Sequence, residues 1–327
     1  MTSEAWSRRL AEYRRPDALL SMAQVAGTVA AAALAWWAAF EAERISYGLA
    51  FPFLVVLAAI HVRIFILQHD CMHGSFFRSR KANVAMGYLL SPLTLTAHHQ
   101  WRAGHLRHHA YSGNLDRRSP EVDIYTMTAA EYRAAPTLSR ILYRGFRHPA
   151  VLFGVLPFFI FTFEQRFARG SPVRSREFAS VAFTNVAITL ALYAAHATLG
   201  LPRFLSLYLP VAAMAASLGL WLFYVQHHFR GGFWTRGKSW ELLESALRGT
   251  SFYDLPRPLA WLTANIGYHH VHHLDPLIPN YRLAQCHRDN AFLHAAQRLT
   301  IGASLADTPF DCWDEEGGRM AKFSELR

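Results

Sequence analysis

Cysteine is scarce in this chain. Its 327 residues include three, Cys71, Cys286 and Cys312, far apart and with no C-x-x-C pair. That argues against a disulfide framework and against a thiolate metal site. Iron–sulfur cysteine patterns, a flavin fingerprint and a fused haem-binding domain are missing as well, so any electrons the protein uses come from outside. Internal repeats and low-complexity segments are absent. Charged residues make up only 17 % of the chain, yet Lys and Arg exceed Asp and Glu by ten. No nucleic-acid recognition motif accompanies that excess, and basic loops beside membrane spans explain it more simply.

What is present is long apolar runs alternating with stretches rich in Arg and His, so that 52 % hydrophobic residues give a mean hydropathy of only +0.08. The N-terminal segment is polar and carries Arg8, Arg9, Arg14 and Arg15. The first apolar run is too long for a signal h-region, which predicts no cleavable signal. Four runs have the length a span needs, at about 18–40, 47–67, 178–199 and 204–225. The first two are joined by a short polar turn and the last two by Gly200-Leu-Pro-Arg203, so they pair as two hairpins. His61 and Arg63 mark where the second helix leaves the bilayer, with Arg63 snorkelling to water. That helix then continues upward and carries His69 and His73.

The segment from Arg78 to Arg147 holds eleven Lys and Arg against four acids, which assigns it to the cytoplasm. Within it, Val84 to Ala97 is too short to span and is broken by Pro92. Thr128-Ala-Ala-Glu131 reads as a helix capping box. Leu138, Ile141, Leu142 and Phe146, interleaved with Arg140, Arg144 and Arg147, read as a basic amphipathic helix on the membrane surface. Val151 to Phe163 is a second interfacial candidate. The expected architecture is an all-α integral membrane protein of one domain, with four transmembrane helices in two hairpins. A cytoplasmic helical cap (68–148 and 226–327) would hold a metal site, with both termini on the same side.

Histidine is the outlier, with 18 residues. Three clusters stand out: His69-Asp-Cys-Met-His73, His105-Leu-Arg-His-His109, and His269-His-Val-His-His273 inside Asn265–His273. Read as a helix, His269, His272 and His273 sit at i, i+3 and i+4 on one face, and His270 points elsewhere. One H-x-x-x-H pair is more often surface than ligand, but three clusters outside the spans on one membrane face can converge. Eight imidazoles exceed what a single ion takes, which argues for two metals. Gln226-His-His228 offers a ninth ligand, for which His227 is chosen over His228. Ligand type leaves Zn, Cu, Fe and Ni open. His98 and His99 read as supporting or structural, and His61, His148, His196, His287 and His294 as ordinary.

The clusters, with Ser112-Gly-Asn-Leu-Asp-Arg-Arg118 after the second and Ile278-Pro-Asn-Tyr281 after the third, resemble the membrane-bound fatty acid desaturases. The likeness runs from His69 to Leu283 and is strongest to the bacterial acyl-lipid branch. Met72 departs from the glycine often found there in that branch and is shared with carotenoid ketolases, whereas Ser112 to Arg118 has the desaturase form. The resemblance implies a di-iron centre held by His69, His73, His105, His108, His109, His269, His272 and His273, with His227 as the extra ligand. It further implies removal of two hydrogens from an acyl chain with O2 and two electrons. The substrate would be a membrane lipid or acyl thioester, the donor a ferredoxin-like protein, and the location the bacterial inner membrane.

Second-layer acids should orient ligating imidazoles by accepting their free N–H, and Asp70, Asp116, Asp123 and Asp275 are the candidates. Asn265, four residues before His269, is placed on the same helix face, where it could hold a water beside the metal. Two competing readings remain: a histidine-rich membrane hydroxylase or ketolase acting on carotenoid, alkane or lipid, and a membrane metal transporter or sensor.

Overall fold

A computed structural model describes residues 3–120, 122–168 and 170–326 of the chain. After a short α1 (Ser3–Leu10) the first long helix, α2 (Ala18–Ile45), starts where the Asp17 carboxylate accepts from the Leu19 and Leu20 N–H groups. Ser46 ends it and at once caps α3 (Tyr47–His73) through a bond from the Leu49 N–H, so the two helices fold back as a hairpin on a single residue. Gly74, in the left-handed region at φ 81°, closes α3 by donating its N–H to the Asp70 and Cys71 carbonyls. The second hairpin pairs α9 (Arg176–Leu199) with α10 (Leu201–His227) across Gly200, and the intervening short helices are introduced below.

These four helices are long and apolar enough to cross a membrane. A 27-residue helix is about 40 Å long, against a hydrocarbon core of about 30 Å. The final turns of α3 and α10 therefore stand beyond the bilayer, and those turns carry His69, His73 and His227. Burial follows the same division. Leu34, Trp37, Phe51, Val55 and Val56 face outward, whereas every residue from Ile66 to His73 is buried. Ala35, Ala39, Leu54 and Leu57 form the seam between α2 and α3.

The snorkelling expected of Arg63 does not occur. Its side chain is buried, with Nε donating to Thr28 Oγ1 at 2.8 Å and Nη1 to the Trp261 carbonyl, and its guanidinium lies 4.1 Å over the Trp261 ring. A local hydroxyl, a carbonyl and a π face give it what water would have given.

Between the hairpins lie α4 (Arg80–Thr94), α5 (His98–Tyr111), α6 (Ala129–Ala134), α7 (Thr137–Arg147) and α8 (Leu156–Thr162). Pro92 does not break α4; it sits in the last turn, and the helix runs on to Thr94. The capping box forms as read: Glu131 N–H donates to Thr128 Oγ1, and Thr128 N–H to the Glu131 carboxylate. Helix α7 leaves Leu138, Ile141 and Leu142 exposed, as a surface-lying helix would. Arg147, expected on its basic face, is instead fully buried. It donates to Tyr224 Oη, Thr126 Oγ1 and the Phe310 carbonyl, fastening α7 to α10 and the C-terminal segment. After α7 the chain passes through one wide turn at Ala150–Val155 and bends by 58° into the next apolar helix.

The C-terminal third contributes α11 (Leu242–Arg248), α12 (Arg257–Leu262), α13 (His269–Leu274), α14 (Asn280–Asp289) and α15 (Ile301–Asp307). Two minimal ribbons supplement the helices. Phe252–Tyr253 pairs in parallel with Arg298–Leu299, and Cys312–Asp314 pairs antiparallel with Arg319–Ala321.

Candidate metal centre

Four elements bring imidazoles to one place: the last turns of α3 and α10, the C-terminal half of α5, and α13. Within them the rings form two groups, His69, His73, His105, His109 and His272 in one, and His108, His227, His269 and His273 in the other. In each group one nitrogen per ring lies within 4.8 Å of all the others. All nine histidines singled out from the sequence are gathered here. The i, i+4 spacing of His69 and His73, and of His105 and His109, aims each pair at the first group, while His108 is rotated toward the second.

The closest approaches are all between Nε2 atoms. His69 to His105 is 2.9 Å, His105 to His109 3.0 Å, and His109 to His272 3.0 Å. In the second group His108 lies 3.1 Å from both His227 and His273, and His227 lies 2.9 Å from His269. Hydrogen bonding cannot satisfy this arrangement, because His105 and His108 each place a single in-plane nitrogen against two others. His73 Nε2 is buried with no partner at all. A cation does satisfy it: ligands about 2.0–2.1 Å from one ion and a right angle apart are separated by about 2.9 Å. The residues present therefore fit a pair of metal ions.

Electrostatics favours the same state. His105, His109, His269, His272 and His273 are held well below the ordinary imidazole range, and His108 is lowered to about 4. Burial is the main cause, and neighbouring imidazoles add to it. Neutral rings with free lone pairs are the form that ligates.

The outer nitrogens divide differently from the sequence expectation. Asp70 lies beside His69, with Oδ1 3.5 Å from Nδ1, while its Oδ2 accepts from the backbone and side-chain N–H groups of Asn280 at 2.8 and 2.9 Å. The other candidates serve elsewhere. Asp116 is on the surface, paired with Arg236 and the Gly237 N–H. Asp123 faces His228 at 3.9 Å rather than one of the nine, and burial raises its carboxyl to about 7. Asp275 takes Arg14 Nε at 2.5 Å. Asn265 is not on a helix face, since Ala264 and Asn265 both adopt positive φ and α13 begins only at His269. Its amide reaches the Asn280 carbonyl instead.

Two orienting groups escaped the sequence reading. The Val122 carbonyl meets His108 Nδ1, and Ser112 Oγ lies 3.2 Å from His227 Nδ1. Trp101 stacks on His105 with ring centroids 4.2 Å apart. Ser112 had a visible signal, three residues after His109 and followed by glycine; a carbonyl has none. His228 turns away to Thr126 Oγ1 and the Tyr224 ring, and His270 turns to His287 Nδ1 at 2.9 Å. His98 packs on Gly87, where a Cβ would come within 2.1 Å of its ring.

The fatty acid desaturase family pattern matches residues 45–299, across all three clusters and the last three of the four long helices. The chain belongs to the fatty acid desaturase family. As a desaturase it is a membrane enzyme that introduces double bonds into fatty acyl chains. It is 36 % identical over 321 residues to a fatty acid desaturase of Bacillus subtilis, covering 98 % of this chain and 91 % of that one. It is 27 % identical over 230 residues to the sn-1 oleoyl-lipid 12-desaturase of Synechocystis, covering 68 % of this chain and 63 % of that one. A third relative is the chloroplastic sn-2 acyl-lipid omega-3 desaturase (ferredoxin) of Helianthus annuus, 25 % identical over 240 residues, 68 % of this chain and 51 % of its own. The chain thus spans about half to two thirds of these last two relatives.

Proposed function

We propose that the nine histidines hold two iron ions and that the protein is an O2-dependent acyl-lipid desaturase of a bacterial inner membrane. The observation that carries the reading is the pair of buried and half-buried imidazole groups, five and four, whose nitrogens converge without hydrogen-bond partners enough to satisfy them. Bound there, two irons would supply the redox chemistry with O2 that removes two hydrogens from adjacent methylenes, which no side chain can perform. In balance, one O2, two electrons and two protons join the two hydrogens of the chain to give two waters and one C=C bond.

The protein's own residues prepare that step. Burial keeps the rings neutral and excludes bulk water. Ser112 and the Val122 carbonyl fix two ring planes, and the Asp70 carboxylate lies beside a third ring, His69, so the ligating nitrogens are aimed before metal arrives. In this reading the N-terminal residues, the cap and the site share the cytoplasmic side, which the excess of Lys and Arg in 78–147 supports, and the span hairpins and cap form one domain. Electrons arrive from an external acidic carrier of ferredoxin type; the parenthesis in the Helianthus relative's name is the precedent, and complementary charge on this basic face would speed the encounter. A transport role fits poorly, because transport sites lie between spans near the midplane, whereas these rings stand at the helix ends.

The test is gas chromatography–mass spectrometry of derivatised fatty acids from a host expressing the chain. New double bonds in lipid acyl chains are expected. Oxygenated products in their place would assign a hydroxylase or ketolase.

A further inference from the structure

Two glutamines stand directly before a histidine of the metal centre, Gln68 before His69 at the end of α3 and Gln226 before His227 at the end of α10. Both are buried, at 0 % and 2 % exposure. Consecutive residues on a helix point about 100° apart, so each amide faces a neighbouring segment while the ring after it faces the metal centre. Gln68 Nε2 lies 3.0 Å from both Ser91 Oγ and the Thr96 carbonyl, and its Oε1 accepts from Thr94 Oγ1 at 2.6 Å. Those partners form the joint between α4 and α5, and α5 carries His105, whose Nε2 is 2.9 Å from that of His69. Gln226 Nε2 donates to the Ile266 carbonyl at 2.9 Å, in the loop that leads into α13 and His269. The Gln226 carbonyl also accepts from the Ser251 N–H at 3.0 Å. His269 Nε2 in turn is 2.9 Å from that of His227. Each glutamine thus ties its helix to the segment that delivers the ring its histidine meets.

We propose that Gln68 and Gln226 are positioning residues for the two metal ions, each acting on one group. Gln68 sets the group of His69 and His105, and Gln226 that of His227 and His269. The inference rests on the two-metal reading above. An imidazole nitrogen stands about 6 Å from the axis of its helix, so a rotation of about 10° carries it about 1 Å. A metal–nitrogen bond tolerates about 0.2 Å. The amide suits the task because it offers donors and an acceptor together, without adding a charge beside two cations. A buried carbonyl needs a donor wherever it lies. The recurrence of the arrangement at both helix ends, once for each group, ties it to the site.

The experiment uses the full chain in detergent, loaded with iron, and follows the transfer of each ion to excess chelator. Methionine has a similar length and removes the hydrogen bonds. Q226M should speed the release of one ion about 10–100-fold, the loss usual when a group behind a ligand is removed, and leave the other ion unchanged. Q68M should do the same to the other ion. Second substitutions identify which ion moves. Q226M should add nothing once His269→Ala has removed the second-group ion, and should keep its full effect beside His73→Ala; Q68M should show the reverse. With cobalt in place of iron, each variant should shift the visible absorption bands of one ion only. T94V withdraws only the donor to Gln68 Oε1 and should speed first-group release severalfold, which decides the matter should Q68M fail to fold.

Equal acceleration of both ions in Q68M or Q226M would mark a general loosening and overturn the proposal. So would unchanged release in Q226M and T94V. A wild-type chain that holds fewer than two ions would sink the two-metal reading, and this one with it. Two ions of another metal, released selectively as above, would sink the iron alone and leave the positioning role standing.

Discussion

Replacing Asp70 by Asn changes one buried atom and tests how the first histidine cluster is held to the third. The carboxylate is almost fully buried. One oxygen faces His69 Nδ1 at 3.5 Å, and the other accepts two N–H groups of Asn280, at the start of α14 just beyond the third cluster. Hydrogen bonds to a charged acceptor contribute about 1.5–3 kcal/mol each, roughly twice a neutral one. The Asn oxygen can still accept from Asn280, so about half of that is lost. The new NH2 then points at a ring nitrogen that must itself carry a proton for Nε2 to ligate, and that clash of donors adds about 1–3 kcal/mol. A total of about 2.5–6 kcal/mol corresponds to a fall in melting temperature of about 5–12 °C, with metal affinity down about 10–100-fold. Asn280→Ala, which removes only the side-chain donor, should cost less. Tryptophan-fluorescence melting in detergent, with iron per chain by elemental analysis, reads both quantities. If D70N melts and retains iron like wild type, the coupling through Asp70 is wrong.

Further expectations follow from the same geometry. His273→Ala should abolish desaturation and lower bound iron, while His270→Ala, which removes a ring bonded to His287, should retain measurable product by chromatography; equal loss of metal in both would refute the partition of the third cluster. Gly267→Ala would drive a Cβ to 2.3 Å from the Tyr253 carbonyl oxygen, a backbone atom that cannot swing aside as the end of a side chain would. The loop leading into α13 should shift, and iron loading should drop at least tenfold with the protein still membrane-inserted; normal loading would show that the loop yields freely. For metal-free protein, the buried rings titrate below their unfolded value of about 6.5, His108 at about 4. The unfolded chain therefore binds more protons below pH 6.5, and stability present above that value is lost as pH falls toward 4. Chelator-treated protein should melt lower at pH 5 than at pH 8, and a reversed order would contradict neutral, buried imidazoles.

How much of this was legible in the residues depended on whether a signal was local. Hairpins and the capping box were, because apolar run length and Thr128 to Glu131 act within a few residues. Eight of the nine clustered imidazoles were too, since i, i+3 and i+4 spacing converts directly into a helix face, whereas His227 rested on its place at a span end and on the family resemblance. The supporting contacts were not. Asp116 finds Arg236 and Asp275 finds Arg14, partners more than a hundred residues away that sequence proximity to a histidine cannot reveal. Asn265 was misplaced because a left-handed pair at Ala264 and Asn265 interrupts what looked like one continuous helix. Arg63 and Arg147 were read as surface cations by default, yet hydroxyls, carbonyls and aromatic faces supplied by other segments make their burial tolerable.

The central claim is that two imidazole groups, five and four, each hold an iron. The most direct test is the metal content of the purified full-length protein, by inductively coupled plasma mass spectrometry against amino-acid analysis. The account expects two irons per chain, with both His73→Ala in the first group and His269→Ala in the second lowering that number. One metal per chain, or two zincs without any O2-dependent lipid product, would contradict it.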